Sequence, residues 1–368
     1  MSTDQLRSLN ILVVDDSAVV REVMNAVLSQ EPGFNVMVAG DPLIAMGKMK
    51  NQRPDVIILD LEMPRMDGLT FLRKIIREDP LPVIVCSALT GANTSIGLQA
   101  LEVGAVDVVA KPRLGVREYL HESAIILIDA VRAAARAKAF RSVRPTVTTT
   151  LRFNADAIPI KKWASPRPLI RDKVVAIGAS TGGTEALRIV LESMPFNAPG
   201  IVVVQHMPEG FTAAFAQRLN QTCRIEVKEA ANGDRIAAGR ALIAPGNLHT
   251  LVRLNGAQYV VEVTDGPLVS RHRPSVDVLF RSVAQSAGLN AVGVIMTGMG
   301  NDGAEGLREM KQAGAYTLAQ DEASCVVFGM PKEAIERGAV DRVVNLSGIA
   351  AAILTGRTTE KMPVRGRR

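Results

Sequence analysis

Residues 174 to 187 read VVAIGASTGGTEAL. An apolar, β-branched run of strand length ends in a turn of small residues and passes into a helix-compatible stretch, the pattern of a buried strand feeding a helix. The same unit recurs on both sides. Downstream, GIVVVQH, ALIAPG, AVGVIMTG and AYTLAQ are further short apolar runs with helical stretches between them. Upstream, from Ile11 to about Ala139, ILVVDDS, NVMVAG, VIILDLEMP, PVIVCSA and VDVVAKP alternate with helical stretches in the same way, which predicts five strands and five helices. Strands alternating with helices build βαβ crossovers and parallel sheets. The predicted fold is therefore α/β throughout: a five-stranded parallel sheet, then a second, doubly wound unit.

Between the two series, RSVRPTVTTTLRFNADAIPIKKWASPRP loses the periodicity and is rich in Pro, Thr and basic residues, as linkers are. The expected division is a first domain over residues 1–130, a linker over 131–170, a second domain over 171–355 and a basic tail over 356–368. A chain of 368 residues suits two domains. Its composition, 47% hydrophobic and 22% charged, is that of a globular protein. The net charge of +6 is unevenly placed: Arg132 to Lys173 carries +9 and the last twelve residues +4, leaving −7 for the remainder. No basic face of a folded domain is implied, and with no helix-turn-helix pattern after the linker, no nucleic-acid partner is expected. The N-terminal MSTDQLRSLN lacks the features of a secretory signal, and no stretch approaches the roughly 18 apolar residues of a membrane span, so a cytoplasmic protein that is not membrane-inserted is expected. Cys86, Cys223 and Cys325 are widely spaced and suit small core positions better than a disulfide or zinc framework.

Ligands and reactive groups gather outside the carboxyl ends of strands in open parallel sheets. The loop after Ile177 is therefore the first candidate. It lacks the Lys of a phosphate-binding P-loop, and Ser180 stands where the dinucleotide fingerprint needs its second glycine. What it does match is GxSxG, from Gly178 to Gly182 between a strand and a helix, the setting of a nucleophilic serine. Such a serine needs a base, and the base an orienting group. Of His121, His206, His249 and His272, only His206 ends a long buried strand, and Asp302 lies in the glycine-rich TGMGNDG loop after AVGVIM. Arg271, His272 and Arg273, in RHRPSVD, read either as substrate-facing or as a solvated entry to a helix capped by Ser275, the solvated reading being preferred for His272, and Met207, Met296 and Met299 read as core or pocket residues.

In the first domain, Asp15 and Asp16 end the first strand, Asp60 the third, Ser87 the fourth and Lys111 the fifth. Singly, each Asp suits a helix N-cap. Together they form an acid cluster that attracts a hard divalent cation such as Mg²⁺, beside a fixed positive charge and a hydroxyl.

The DD pair, LDLEMPRMDG, the SA dipeptide and KP resemble the response-regulator receiver family over about residues 9 to 130, with its flavodoxin-like sheet. That resemblance implies that Asp60 accepts a phosphoryl group, that Asp15, Asp16, Asp60 and the Glu62 carbonyl hold Mg²⁺, and that Ser87 and Lys111 contact the phosphoryl group. Val108 stands where the family often carries an aromatic switch residue, which sets a simple aromatic-rotamer switch aside. GASTGG, QHMP, APG, RPSVD and TGMGNDGAEG, in that order, resemble the catalytic domain of the chemotaxis protein-glutamate methylesterase family. This second resemblance implies a hydrolase that removes methyl esters from chemoreceptor glutamates, and deamidates glutamines, without a cofactor. Ser180 is then the nucleophile, His206 the base and Asp302 its orienter, with an oxyanion site near Thr181 and Met299. The implied partners are methyl-accepting chemoreceptors and a chemotaxis histidine kinase, and the receiver is expected to pack over the Ser180 edge and block it. A competing reading keeps the receiver but makes GASTGG a ligand-binding loop without catalysis.

Overall fold

A computed structural model of the chain describes residues 8–63, 66–88, 91–111, 117–139, 155–158 and 172–356. Most of the predicted linker, and the basic tail after residue 356, lie outside the described residues. The first unit runs β1 (Leu9–Val14), α1 (Ala18–Ser29), β2 (Phe34–Ala39), α2 (Pro42–Asn51), β3 (Val56–Asp60), α3 (Gly68–Glu78), β4 (Val83–Ser87), α4 (Gly91–Val103), β5 (Asp107–Ala110) and α5 (Arg117–Ala139). Helix starts follow local chemistry. Ser17, Asp41 and Asp67 each precede a helix and accept the amide of the residue three further on, satisfying a donor that the helix cannot. Helix α5 passes through residue 130, where the sequence reading ends the domain, and continues to Ala139.

All strand pairs of this sheet are parallel, in the order β2-β1-β3-β4-β5. β3 and β4 are buried along their whole length, each large apolar side chain contributing about 1.5–3 kcal/mol. Register then places the polar residues. Val14 pairs with Leu59, which sets Asp15 beside Asp60, and Ser87 pairs with Ala110, one residue before Lys111.

The second unit runs β6 (Val174–Ala179), α6 (Gly183–Glu192), β7 (Gly200–Gln205), α7 (Phe211–Thr222), β8 (Glu226–Glu229), β9 (Arg240–Ile243), β10 (His249–Asn255), β11 (Gln258–Thr264), α8 (Val276–Ser286), β12 (Ala291–Ile295), α9 (Ala304–Gln312), β13 (Tyr316–Gln320), α10 (Met330–Glu336), β14 (Arg342–Val344) and α11 (Ile349–Thr355). Seven strands form one parallel sheet in the order β14-β13-β12-β6-β7-β9-β8. The sequence reading names five of these. β8 and β14 are short and partly exposed, so they carry little of the apolar signature that marks the others. The hairpin β10–β11, which packs against α8, is likewise absent from that reading although a signal is present: Asn255-Gly256 opens the turn, with Asn255 paired to Gln258 and Gly256 at φ 60°. Among the described residues, no helix is long and apolar enough to cross a membrane.

Candidate functional site

The seven-stranded sheet reverses its winding between β6 and β12, since β7 lies on the far side of β6 and β13 on the far side of β12. Loops diverge at such a point and leave a crevice. Ala179 pairs with Gln205, so Ser180 and His206 leave the sheet as neighbours, and Ile295 pairs with Gly178, so the loop that carries Asp302 rises beside Ser180. The Ser180 backbone is fixed on both sides. Its N–H donates to the Thr297 carbonyl at 3.0 Å, and its carbonyl accepts from Gly183 N–H at 2.7 Å and from Gln205 Nε2 at 2.9 Å. Gly182, at φ 77°, then turns the chain into α6 through a conformation that a Cβ would disfavour.

Asp302 is buried and all its acceptor capacity is used. Oδ2 accepts from His206 Nε2–H at 2.8 Å and Val276 N–H at 2.8 Å; Oδ1 accepts from Ser275 Oγ at 2.8 Å and Asp277 N–H at 3.0 Å. Burial by itself would raise its pKa, but the hydrogen bonds from His206 and the α8 amides hold the carboxyl below the usual range, so it is a carboxylate. His206 Nδ1 is buried and has no hydrogen-bond partner among the described residues. The structure thus makes the His206–Asp302 link and leaves the Ser180–His206 link open. Among the described residues the amides of Thr181 and Met299 donate to no carbonyl. Met207 and Met296 are buried core residues.

His272 corrects the sequence reading. It is partly buried, and its ring stacks on His206 with centroids 3.6 Å apart and planes at 23°. Burial, with His206 alongside, pushes its pKa down to about 3, so it remains neutral. His249 is also structural: its Nδ1 accepts from Ser275 N–H at 3.3 Å and its Nε2 donates to the Pro267 carbonyl at 2.9 Å.

The first sheet brings its predicted residues together. Asp15, Asp16 and Asp60 offer carboxylate oxygens that all lie within 4.8 Å of one another, Asp15 and Asp60 buried and Asp16 exposed. Lys111 Nζ donates to Asp60 Oδ2 at 2.6 Å and stands 3.1 Å from Asp15 Oδ2. Burial raises the Asp60 pKa against the pull of Lys111. Asp15 Oδ2 is buried and accepts no hydrogen bond among the described residues. That oxygen, met by Lys111 as an ion pair but accepting no well-aligned hydrogen bond, in an oxygen-only donor set fits a hard divalent cation. Glu62, whose side chain is exposed, sends its N–H to Asp60 Oδ1 at 3.1 Å, which brings its backbone to the cluster. Ser87 is buried at the same edge, and its carbonyl accepts from Lys111 N–H at 2.9 Å.

Several contacts join the two sheets' surroundings, and sequence reasoning identified none of them. Thr181, next to Ser180, donates its hydroxyl to Asp107 Oδ2 at 2.9 Å. Burial there pushes the Asp107 carboxyl up to about 6, opposed by the bonds from Thr181 and Val108 N–H. Phe211 of α7 is fully buried against α4: a Cβ at Gly97 would lie 2.5 Å from Phe211 Cε1 and 3.6 Å from Val108 Cγ2. Arg271 pairs with Asp129 of α5 at 3.2 Å, and Arg218 with Glu102.

A family model described as CheB methylesterase matches residues 175–353, and one described as a response regulator receiver domain matches residues 11–121. The protein-glutamate methylesterase/protein-glutamine glutaminase 3 of Geobacter metallireducens is 56% identical over 352 residues, which is 95% of this chain and 99% of that one. A similarly named protein of Anaeromyxobacter dehalogenans is 59% identical over 349 residues, covering 95% and 96%. The crystal structure of the Thermotoga maritima CheB methylesterase catalytic domain superposes with a TM-score of 0.50 at 37% identity, covering 50% of this chain and 99% of that one. These relatives lend no support to a receiver-coupled binding module without catalysis.

Proposed function

The chain belongs to the CheB methylesterase family, and from that premise we propose that it hydrolyses glutamyl methyl esters, and deamidates glutamines, on chemoreceptors through Ser180, His206 and Asp302. One observation carries the assignment of roles. With Nε2–H of His206 held by an ionised Asp302, the lone pair of Nδ1 is the one left to act as base. Catalytic hydrogen bonds are often long before substrate binds and tighten afterwards, which accommodates the open Ser180–His206 link.

In this mechanism Ser180 Oγ attacks the ester carbonyl and its proton passes to His206 Nδ1. The oxyanion forms against the Thr181 and Met299 amides, donors of the kind that stabilise a tetrahedral intermediate. Collapse breaks the acyl–oxygen bond, and His206 returns the proton to the departing methoxy group as methanol, or to nitrogen as ammonia. Water, deprotonated by His206, then attacks the acyl-serine and releases glutamate and Ser180. Asp302 holds the imidazole tautomer throughout. His272, neutral and stacked, braces the ring.

The receiver is assigned residues 1–130, with α5 prolonging it to Ala139, and the esterase unit residues 171–355, with the linker over 131–170 and the basic tail over 356–368. Asp60 is the phospho-acceptor, Ser87 and Lys111 its phosphoryl contacts, and a chemotaxis histidine kinase the donor. Asp15, Asp16, Asp60 and the Glu62 carbonyl would hold Mg²⁺, which supplies charge neutralisation for phosphoryl transfer. The Asp107–Thr181 hydrogen bond, the Phe211–Gly97 contact and the Arg271–Asp129 pair support a receiver that covers the Ser180 edge until Asp60 is phosphorylated. The setting is cytoplasmic.

The test is methanol release from methylated receptor membranes by wild type and S180A, with and without a small-molecule phosphodonor and Mg²⁺. Stimulated release from wild type and none from S180A is expected. Equal release from both would overturn the assignment of Ser180.

A further inference from the structure

Helices α8 and α9 close one another's N-termini. The first amides of a helix have no partner within it and must find one elsewhere. In α8, Val278 N–H turns back to the N-cap Ser275 Oγ at 3.4 Å, but those of Val276 and Asp277 go to Asp302, which precedes the other helix. In α9 the N-cap is Gly303, which has no side chain to offer, and the amide of Gly306 donates to Asp277 Oδ1 at 2.8 Å. Asp277 is the second residue of α8. Each helix therefore lends a carboxylate to the positive end of the other, where a negative charge is favoured.

We infer that Asp277 is a positioning residue of the ester-cleaving site, holding the start of α9 so that Asp302 stays aimed at His206. Its second oxygen accepts from Ser270 Oγ at 3.0 Å, and its side chain is 6% exposed, so it is enclosed and anchored on both oxygens. The two backbones touch here: a Cβ at Gly306 would fall 2.9 Å from the Asp277 carbonyl oxygen and 3.1 Å from its Cα. Asp302 stands just before the α9 N-cap, so any displacement of the first turn of α9 carries the Asp302 carboxylate with it. Without Asp277 the Gly306 amide and the Ser270 hydroxyl lose their acceptor, and the first turn of α9 loses its side-chain tie to α8. Burial, with the Asp302 charge beside it, pushes the Asp277 carboxyl up to about 7.

This rests on the Ser180, His206 and Asp302 reading, and the experiment separates the two. Full-length D277A, D277N and D302N are compared with wild type in methanol release from methylated receptor membranes. The downfield proton resonance of the His206–Asp302 hydrogen bond and thermal unfolding are followed on the same samples. D277A is expected to lower kcat about 10- to 100-fold at unchanged KM, the scale of a small misplacement of a catalytic group, and to shift or broaden the resonance. D277N, which keeps an oxygen for Gly306, is expected to recover most of the rate. Wild-type kcat per folded molecule in D277A, with the resonance unmoved, would show a purely structural role and overturn the inference. An inactive D302N beside such a D277A would leave the triad standing, whereas an active D302N would remove both. If D277A does not fold, S270A replaces it: a loss of about 2- to 10-fold in kcat at unchanged KM is expected, and full activity with an unmoved resonance overturns the inference.

Discussion

The two parallel sheets put their reactive groups in the same place, outside the carboxyl ends of strands where the winding reverses, yet they hold them differently. At the receiver edge Lys111 sits between Asp60 and Asp15, donating to Asp60 Oδ2 and standing 3.1 Å from Asp15 Oδ2. At the Ser180 edge the His206–Asp302 half is built, the Ser180–His206 half is open, and the neighbouring Thr181 is engaged by Asp107 of β5. Carboxylates as close as Asp15, Asp16 and Asp60 repel one another, and the Lys111 ammonium meets two of the three. The Ser180 edge holds one carboxylate, Asp302, and four donors already meet it.

The comparison breaks most severely at Ser180. S180A is expected to lower methanol release by about 10⁴-fold or more, the scale of losing a triad nucleophile, while phosphate incorporation at Asp60 from a radiolabelled phosphodonor continues. Loss of both in one folded variant would mean that the sites are not separable. Next, D60N, or chelation of Mg²⁺ in wild type, should abolish stimulation by the phosphodonor, read as the ratio of stimulated to basal rate.

Smaller effects sharpen the contrast. D107A removes one hydrogen bond to Thr181 and should raise basal release about 2- to 10-fold. The same residue implies a pH dependence. Burial beside Thr181 pushes its carboxyl up to about 6, so separating the receiver from the esterase unit and exposing this carboxyl to water is expected to release a proton. Docking is then favoured at low pH and weakens as the pH rises through about 6. The ratio of basal to stimulated rate should climb between about pH 5 and pH 7 in wild type and stay flat in D107N; a slope of equal size in D107N would assign the titration to another group. The smallest effect belongs to R218A. Arg218 and Glu102 are both well exposed, and an exposed ion pair is worth at most about 1 kcal/mol, so a change in basal rate below about 5-fold is expected.

The fold was legible wherever strands are buried on both faces. VIILD and VVAIGA announce themselves because a strand between two helix layers must be apolar along its length. The partly exposed β8 and β14 gave no comparable run, and the β10–β11 hairpin needed attention to Asn255-Gly256 rather than to hydrophobicity. His272 was misread because RHRPSVD looks like a charged helix entry. Its stacking on His206 depends on a partner 66 positions away.

The sequence by itself determined the two α/β series and the residue types at each strand end, since strand length, periodicity and turn chemistry act over a few neighbouring residues. It also marked Ser180, His206, Asp302 and the Asp15, Asp16, Asp60 and Lys111 set as candidates, because strand ends converge once a parallel sheet is granted. Only the tertiary structure decided which nitrogen of His206 meets Asp302, that Asp277 and Asp302 close each other's helices, and that Asp107 engages Thr181. Each of these is a contact between segments far apart in the chain. No local pattern encodes such a contact, because it follows from how whole layers stack and from which buried polar groups are left needing a partner.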